Sequence, residues 1–192
     1  MTIRLAVLAA AVLVTAPTMA APATYTLDPA HTYPSFEADH LGGLSVWRGK
    51  FRKSSGKVMY DREAGAGTVS VTIDVSSIDF GYDKMDEHAR SADMFDVVKY
   101  PTATFEGTLA AFDKGAPTEV RGTLTLHGVT KPVTLKVNSF LCKPNPMTKK
   151  ETCGADASAT INRADFGVNY GEGYGFKQTV KLQLQVEGVR AD

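Results

Sequence analysis

The dominant pattern along the chain is a strict alternation of apolar and polar residues. It runs through residues 68–75, 104–111, 133–138, 155–162 and 180–187. Alternation with a period of two is typical of β-strands that bury one face and expose the other. Weaker versions of the pattern occupy residues 25–38, 46–51, 57–60 and 119–126. The chain is therefore predicted to be mainly β, with eight to nine strands, and the short turn segments between them predict antiparallel neighbours.

About eight antiparallel strands, each with one apolar face, can either stack as two sheets or close into a barrel. The inward face of one strand would carry Ala155, Ala157 and Ala159, and another would carry Gly107 and Ala111. Small inward residues fit a tapering packed core, and they fit a retained apolar cavity equally well. The pattern by itself leaves both readings open.

Two local features interrupt the alternation. Residues 83–95 are typical of one or two short helices, with Asp83 capping the first and Ser91 capping the second. We interpret this insert as a lid or plug at one end of the sheet. Pro34 lies inside the first predicted strand, and because proline cannot donate a ladder hydrogen bond it predicts a bulge or an edge there.

The N-terminus has the features of a cleavable export signal in residues 1–20. Arg4 precedes an apolar run over residues 5–14, and the segment ends in small residues up to Ala20. The run is too short to span a bilayer. Residues 21–23 offer a second cleavage site, so the cut is placed only to within about three residues. The signal predicts that the domain, residues 24–192, is periplasmic.

The two cysteines are expected to form a disulfide. Cys142 and Cys153 flank ten residues that are polar and contain two prolines. In an oxidising compartment this spacing suits a bridge that closes a long hairpin loop. A structural metal site would need two further ligands, and none is grouped nearby, so no metal is expected.

Charge and length narrow the class of protein further. The chain has 21 basic and 21 acidic residues, which argues against nucleic acid as a partner. A domain of about 170 residues is large enough to enclose a core or a cavity. No second segment is apolar enough to cross a membrane, so stable membrane insertion is not expected either.

Several segments, in order along the chain, resemble the YceI-like family of periplasmic lipid-binding proteins. The most specific are residues 88–96, 99–105 and 122–133. The others are residues 25–28 with His31, residues 40–42, residues 49–51 with Gly56 and Asp61, and residues 161–167 and 186–189. The resemblance covers essentially the whole of residues 24–192. The chain departs from the family pattern in its cysteine loop and at Pro34.

The resemblance implies an extended eight-stranded antiparallel β-barrel, lipocalin-like in form, with a long apolar interior. It also implies that this interior holds a polyisoprenoid chain such as that of a quinone. Members of the family are carriers or stores of such lipids, and no catalytic activity is generally attributed to them. This decides the open question in favour of a cavity over a packed core.

The expected binding site is the apolar wall of the barrel. A prenyl chain offers only carbon and hydrogen, so it is held by burial worth about 0.8 kcal/mol per CH₂ and not by directional partners. The inward-facing residues expected to line the site are Phe36, Val71, Ile73, Val75, Phe105, Leu124, Leu126, Val133, Leu135, Ala157, Ala159, Ile161, Val180, Leu182 and Leu184.

A mouth is expected where the helical insert meets the barrel. The residues predicted to line it are Phe80, Tyr82, Met85, Met94 and Phe95. The glycine-rich aromatic segment 167–176 is a second candidate rim. Arg163 and Arg90 are candidates for contacts with a polar head group, since arginine pairs well with phosphate or carbonyl oxygens. For Arg163, a structural pair with Asp165 at a tight turn is the simpler reading.

The sequence therefore predicts a non-enzymatic periplasmic carrier of a quinone or prenyl phosphate, with no cofactor besides the lipid itself and with a homodimer left open. One alternative is a hydrolase of lipid-like substrates that uses His88 with Glu87 or Asp86. Another is a packed sandwich that acts only as a stress-protective interaction protein. No catalytic residue is assigned, because none of the four histidines has a recognisable catalytic or metal-binding partner at a fixed spacing.

Overall fold

A computed structural model describes residues 22–191. The predicted export signal, residues 1–20, lies outside the described residues and stays a prediction. The strands are β1 (Ala23–Leu27), β2 (Tyr33–His40), β3 (Ser45–Phe51), β4 (Ser54–Asp61), β5 (Ala66–Asp74), β6 (Ile78–Asp79), β7 (Thr102–Asp113), β8 (Ala116–Leu126), β9 (Val129–Pro144), β10 (Glu151–Asn162) and β11 (Thr179–Arg190). Helix α1 (Asp83–Arg90) lies between β6 and β7.

The strands form one antiparallel sheet that closes on itself. Its hydrogen-bonded order is β1, β4, β5, β7, β8, β9, β10 and β11, and β11 returns to β1. The short strands extend this ring along its axis, because β2 continues β1 along β11, β3 pairs with β2, and β6 pairs with β3. The predicted eight-stranded antiparallel barrel is confirmed, and the packed-sandwich alternative is wrong because the ladder has no gap between two sheets.

The barrel strands are interrupted between β1 and β2, between β3 and β4 and between β5 and β6. At the first of these breaks the buried Thr32 side chain donates to the Glu187 carbonyl and accepts from the Glu187 amide. The Ser54 hydroxyl donates to the Thr32 carbonyl. These bonds satisfy backbone groups that a continuous ladder would otherwise pair. The single strand predicted over residues 25–38 is therefore wrong, since residues 28–32 form a break stabilised by side-chain hydrogen bonds.

Pro34 causes no bulge, but it does occupy a local edge of the sheet, as one of the two predicted alternatives has it, because β2 is paired on one side only at this residue. It lies inside β2 opposite Leu184 of β11, and the β2–β3 ladder begins one residue later at Ser35. Because no residue of β3 pairs with Pro34, its missing N–H leaves no hydrogen bond of the β2–β3 ladder unmade. The bulge in this barrel lies in β9 instead, where Asn138 is the extra residue opposite the step between Asp156 and Ala157.

The helical insert is shorter than the sequence predicts. Asp83 is the first residue of α1, not its cap, and Tyr82 occupies the N-cap position without a side-chain bond. Ser91 ends the helix, because its hydroxyl donates to the His88 carbonyl. Residues 91–99 then form turns, so one of the one or two expected helices is present and Ser91 does not cap a second. The fully buried Ala89 docks α1 onto the core residues beneath it.

The two ends of the barrel differ in construction. The helical end carries α1, the β2–β3 turn, the β8–β9 turn and the loop between β10 and β11. The opposite end, here called the hairpin end, carries the β4–β5, β7–β8 and β9–β10 turns. The predicted disulfide is confirmed there, joining Cys142 of β9 to Cys153 directly opposite on β10. Within residues 22–191, no helix is long and apolar enough to cross a membrane.

Candidate functional site

The barrel encloses a cavity of about 420 Å³ whose walls are almost entirely apolar. This volume lies within the range of roughly 300–1,000 Å³ that is usual for ligand pockets. The lining reaches from Tyr60 and Phe140 at the hairpin end to His40 and Phe176 at the helical end. The cavity therefore runs along the barrel axis, and its length suits an extended ligand.

Most of the wall predicted from the sequence lines this cavity. The predicted residues found there are Phe36, Val71, Ile73, Phe105, Leu124, Leu126, Val133, Leu135, Ala157, Ile161, Val180, Leu182 and Leu184. Two do not line it. Val75 is buried within the 3₁₀ turn Val75–Ser77, where the alternation of β5 has ended, and Ala159 is covered by the core cluster around Phe105.

The predicted mouth is also largely assembled at one place. Phe80, Met85, Met94, Phe95 and Arg163 all line the cavity. Tyr82 does not, because it precedes the first turn of α1 and its side chain is 56% exposed. The helical insert thus covers one end of the barrel, as expected of a lid.

Two further wall residues, Val69 and Leu109, lie on strands β5 and β7 but were not predicted to line the cavity. Val69 lies two residues before Val71, and Leu109 lies four residues after Phe105, so both continue an alternation already identified. Continuing each pattern to the strand ends would have found them. Gly107 and Ala111, which were expected to face inward, are not on the wall. Gly107 does not line the cavity because the Phe105 ring lies over it.

The hairpin end of the cavity is closed by tyrosines that the sequence analysis did not single out. Tyr25 is 3% exposed and its hydroxyl donates to the Glu151 carboxylate at 2.5 Å. Tyr60 donates to the Gly115 carbonyl and packs edge-on against Phe140. No short sequence signal marks these residues, since their partners lie on hairpins far away in the chain.

Electrostatics hold this closure together. Glu151 also pairs with Arg62 at 3.4 Å and with Arg190 at 3.6 Å. Burial, reinforced by the hydrogen bond to Glu151, raises the pKa of Tyr25 to about 12. The same hydrogen bond, with the two arginines, holds the pKa of Glu151 below its ordinary value. The tyrosine is therefore neutral and the carboxylate charged at neutral pH, so a hydrogen bond to a charged acceptor holds Tyr25 at this end of the cavity.

The helical end is where polar groups reach the cavity. The His40 ring packs against Trp47 at 5.0 Å and against Phe176 at 5.3 Å, measured between ring centres. His88 of α1 packs edge-on against Tyr170 at 4.6 Å. Both histidines line the cavity. The candidate rim segment 167–176 therefore contributes Tyr170 and Phe176 to the mouth.

Arg163 places a partly buried positive charge beside these rings. Its guanidinium donates to the Val168 carbonyl at 2.8 Å and to the Tyr170 carbonyl at 2.7 Å. Within residues 22–191, no carboxylate lies within ion-pair distance of it, so the expected pair with Asp165 does not form. Burial lowers the pKa of Arg163, which more distant carboxylates only partly offset. An anionic or strongly accepting ligand group would stabilise this charge.

The geometry offers little for the hydrolase alternative. The Asp86 carboxylate is buried and accepts a hydrogen bond from the Phe80 amide at 2.7 Å, while Glu87 points to solvent. His88 has no ion-pair partner among the described carboxylates, so neither predicted dyad is assembled. No cluster of three or more metal-ligating side chains occurs in the described part of the chain.

Comparison with known proteins agrees with this geometry. The model of the YceI-like domain matches residues 25–188. The chain belongs to the YceI-like family. A UPF0312 protein of Pseudomonas paraeruginosa is 38% identical over 161 residues, covering 83% of this chain and 82% of its own length. A UPF0312 protein of Vibrio cholerae is 35% identical over 184 residues, covering 94% of both chains.

Solved structures show the same YceI-like barrel. Burkholderia cenocepacia BcnA superposes with a TM-score of 0.66 at 27% identity, covering 84% of this chain and 98% of BcnA. The Campylobacter jejuni YceI protein gives 0.63 at 23% identity, covering 78% and 88% of the two chains. A polyisoprenoid binding domain from Saccharophagus degradans gives 0.61 at 19% identity, covering 87% and 98%. The latter two are likenesses of fold.

Proposed function

We propose that this protein is a non-enzymatic periplasmic carrier that holds one long-chain isoprenoid lipid, a quinone or a prenyl phosphate, inside its barrel. The observation that carries the proposal is the axial cavity of about 420 Å³, which is apolar along most of its wall and has the Arg163 guanidinium, a charged group with only backbone carbonyl partners among the described residues, at its helical end. An amphiphile with one long tail and one small polar head has the same distribution. Its tail would lie along the wall and its head near Arg163.

The physical basis of tail binding is burial of carbon. Each CH₂ removed from water contributes about 0.8 kcal/mol, so affinity rises with chain length without any specific hydrogen bond. The closed floor formed by Tyr25 and Tyr60 sets how far a tail extends, since both rings line the cavity at the hairpin end. An apolar cavity of this kind favours a lipid tail over a polar metabolite.

Different observations support the isoprenoid class of ligand and the periplasmic compartment. The structurally similar Saccharophagus degradans domain is described as polyisoprenoid binding, which supports the same class of ligand here. The predicted signal in residues 1–20 supports export. The Cys142–Cys153 disulfide suits an oxidising compartment. A carrier role follows because a long-chain lipid needs an apolar container to cross an aqueous gap.

The test is to identify what the barrel contains. The protein, exported by its own signal in its native host and purified without detergent, is extracted with organic solvent, and the extract is analysed by mass spectrometry. We expect about one prenyl lipid per protein molecule. Protein that is consistently empty, and that also fails to take up added prenyl quinone or prenyl phosphate, contradicts the proposal.

A matched pair of variants shows whether the lipid lies in the cavity. Ala157→Phe adds a ring to the wall of β10, and Thr160→Phe adds the same ring to an exposed position of that strand. We expect the first variant to lose most of its lipid and the second to retain it. Equal retention by two folded variants would place the lipid elsewhere on the molecule.

A further inference from the structure

Exposed apolar side chains are concentrated at the helical end of the barrel. Of the ten large apolar side chains that are exposed in the described part of the chain, seven lie at this end. Five of them form what we call the rim patch: Leu41, Leu44, Val46, Tyr170 and Tyr174. Scattered single exposures are ordinary on a protein surface, whereas a cluster marks an interaction site.

The segments that carry the rim patch are in contact with one another at the helical end. The β2–β3 turn touches the loop after β10, because a Cβ on Gly42 would lie 3.3 Å from the Gly175 carbonyl oxygen. The Lys177 amide also donates to the Asp39 carboxylate at 3.0 Å, which ties the two segments together. Tyr170 packs against His88, so the loop also reaches α1.

The same segments have an inner and an outer side. His40 and Phe176 face the cavity, while the neighbouring Leu44 and Tyr174 are 74% and 73% exposed. Apolar surface therefore continues from the cavity, past the polar groups of the mouth, to the outside of the rim. The hairpin end has no equivalent, because its cavity floor is sealed by Tyr25 and Tyr60.

We propose that the rim patch docks the protein on the surface of a lipid bilayer, with the mouth of the cavity facing the membrane. This inference rests on the proposed function, because a lipid cargo resides in a bilayer and must enter through the mouth. Docking lets a prenyl tail pass from the hydrocarbon layer into the barrel without exposure to water. Tyrosine and leucine suit this role, since tyrosine favours the bilayer interface and leucine the layer below it.

The charges around the rim favour apolar insertion over electrostatic attraction. Asp39 and Glu172 are negative and Lys177 and the partly buried Arg163 are positive, and α1 adds the exposed Asp83, Lys84 and Glu87, so these charges do not form a basic surface. A basic membrane-binding surface would attract anionic lipids and weaken in salt. Docking through the rim patch should instead persist on zwitterionic lipid and at high ionic strength.

The test measures binding of the full exported chain to protein-free phosphatidylcholine vesicles by co-sedimentation. The double variant Leu44→Ser/Tyr174→Ser removes two exposed side chains of the rim patch. Its matched control, Leu141→Ser/Met147→Ser, removes two exposed side chains at the hairpin end. We expect the rim variant to bind roughly tenfold more weakly or worse, and the control to bind like wild type. Binding should survive about 1 M salt, where charge interactions are screened within about 3 Å.

A second measurement separates this proposal from the carrier function itself. Each protein is loaded with a prenyl quinone, either from vesicles that contain it or from a dilute dispersion without bilayers. We expect the rim variant to load slowly from vesicles and normally from the dispersion. Wild-type protein that loads from the dispersion but never binds vesicles overturns membrane docking and leaves the carrier proposal standing. Protein that loads from neither source overturns the carrier proposal, and equal vesicle binding by both double variants overturns the rim patch.

Discussion

Tyr25 and Arg163 both bring polar atoms to the end of an apolar cavity, and the protein satisfies them in different ways. Tyr25 at the hairpin end donates to a charged carboxylate that two arginines also hold. Among residues 22–191, Arg163 at the helical end has only backbone carbonyls as hydrogen-bond partners. A buried polar group that is fully paired stabilises a structure, and one that is incompletely paired is often kept for a ligand. The two residues therefore lead to opposite predictions.

Replacing Tyr25 with phenylalanine should destabilise the fold by about 1.5 kcal/mol at neutral pH, because a hydrogen bond to a charged acceptor is lost. The pKa of Tyr25 is about 12 in the folded protein, against 10.0 ordinarily. Its contribution is complete below pH 10 and is lost as the pH rises through about 12. Urea unfolding of wild type should thus show a decline in stability across that range that is smaller in Tyr25→Phe.

The exposed Tyr82 provides the control for this comparison, since Tyr82→Phe removes a hydroxyl from a side chain that is 56% exposed. Its stability should stay within about 0.5 kcal/mol of wild type. If Tyr25→Phe behaves the same way at neutral pH, the hydrogen bond to Glu151 contributes no stability and the floor is held by packing alone.

Replacing Arg163 with methionine should change which head group the protein prefers. Methionine keeps a long side chain but removes the charge, so affinity for a prenyl phosphate should fall about 10- to 100-fold. Affinity for the prenyl alcohol of the same chain length should change little. Titration of both lipids, monitored by tryptophan fluorescence from Trp47 on the cavity wall, gives the two values.

Arg163→Lys serves as the matched variant, because it retains the charge while losing the planar arrangement of donors. We expect it to keep part of the preference for phosphate. Equal losses for both lipids in Arg163→Met would instead mean that the residue only positions the loop through the Val168 and Tyr170 carbonyls. A wild-type protein that shows no preference between the two lipids would point to a neutral head group such as a quinone.

At the scale of single elements, the sequence predicted strands well and their interruptions poorly. Alternation located β5, β7, β10 and β11 because half-buried or buried residues alternate with exposed ones along much of each strand. The break over residues 28–32 was missed, since it depends on Thr32 bonding to Glu187, a residue 155 positions away. Ser91 was expected to cap the start of a possible second helix, but its hydroxyl donates to the His88 carbonyl at the end of α1. Local patterns carry no information on such distant or directional partners.

The glycines of β8 and β10 give a prediction at this scale. Gly122 of β8 faces Gly107 of β7, and a Cβ on it would lie 2.2 Å from the Glu106 carbonyl oxygen and 2.8 Å from the Phe105 ring. Both contacts are too close, and the backbone oxygen is held in the ladder. Gly122→Ala should therefore cost about 1–3 kcal/mol through overpacking.

Gly154 of β10 is the matched control, because its nearest contact would be 3.7 Å from the Glu187 side chain, an ordinary van der Waals distance. Gly154→Ala should be neutral or slightly stabilising, since alanine has less backbone freedom to lose on folding. Chemical denaturation of the two variants measures the difference directly. Equal stabilities would show that the β7–β8 ladder yields to a methyl group, and that the Phe105 ring does not require the glycine pair.

At the scale of the whole molecule, strand count and alternation permitted both a barrel and a sandwich, and the family resemblance decided between them. The closed ladder from β11 to β1 confirms the barrel. The mouth at the helical insert was predicted, but no pattern predicted the floor that Tyr25 and Tyr60 form at the opposite end or the exposed apolar rim around the mouth. This asymmetry arises from loops that are far apart in sequence and meet only when the barrel closes.

A barrel with an internal cavity of about 420 Å³ leaves apolar wall residues without full packing partners when the cavity holds no lipid. A prenyl lipid that binds the folded state and not the unfolded chain should therefore raise stability. At a free lipid concentration 100 times the Kd the gain is about 2.7 kcal/mol. For a domain of this size that corresponds to a rise in Tm of about 5–10 °C.

Calorimetry of lipid-free protein, titrated with a prenyl quinone or a prenyl phosphate, measures this shift. Ala157→Phe should show no gain, because its added ring occupies part of the cavity, whereas Thr160→Phe should gain as much as wild type. A shift of equal size in all three proteins would mean that the lipid binds the outer surface. The apolar wall would then be only the interior of a stable barrel, and lipid binding would have to be sought at the rim patch.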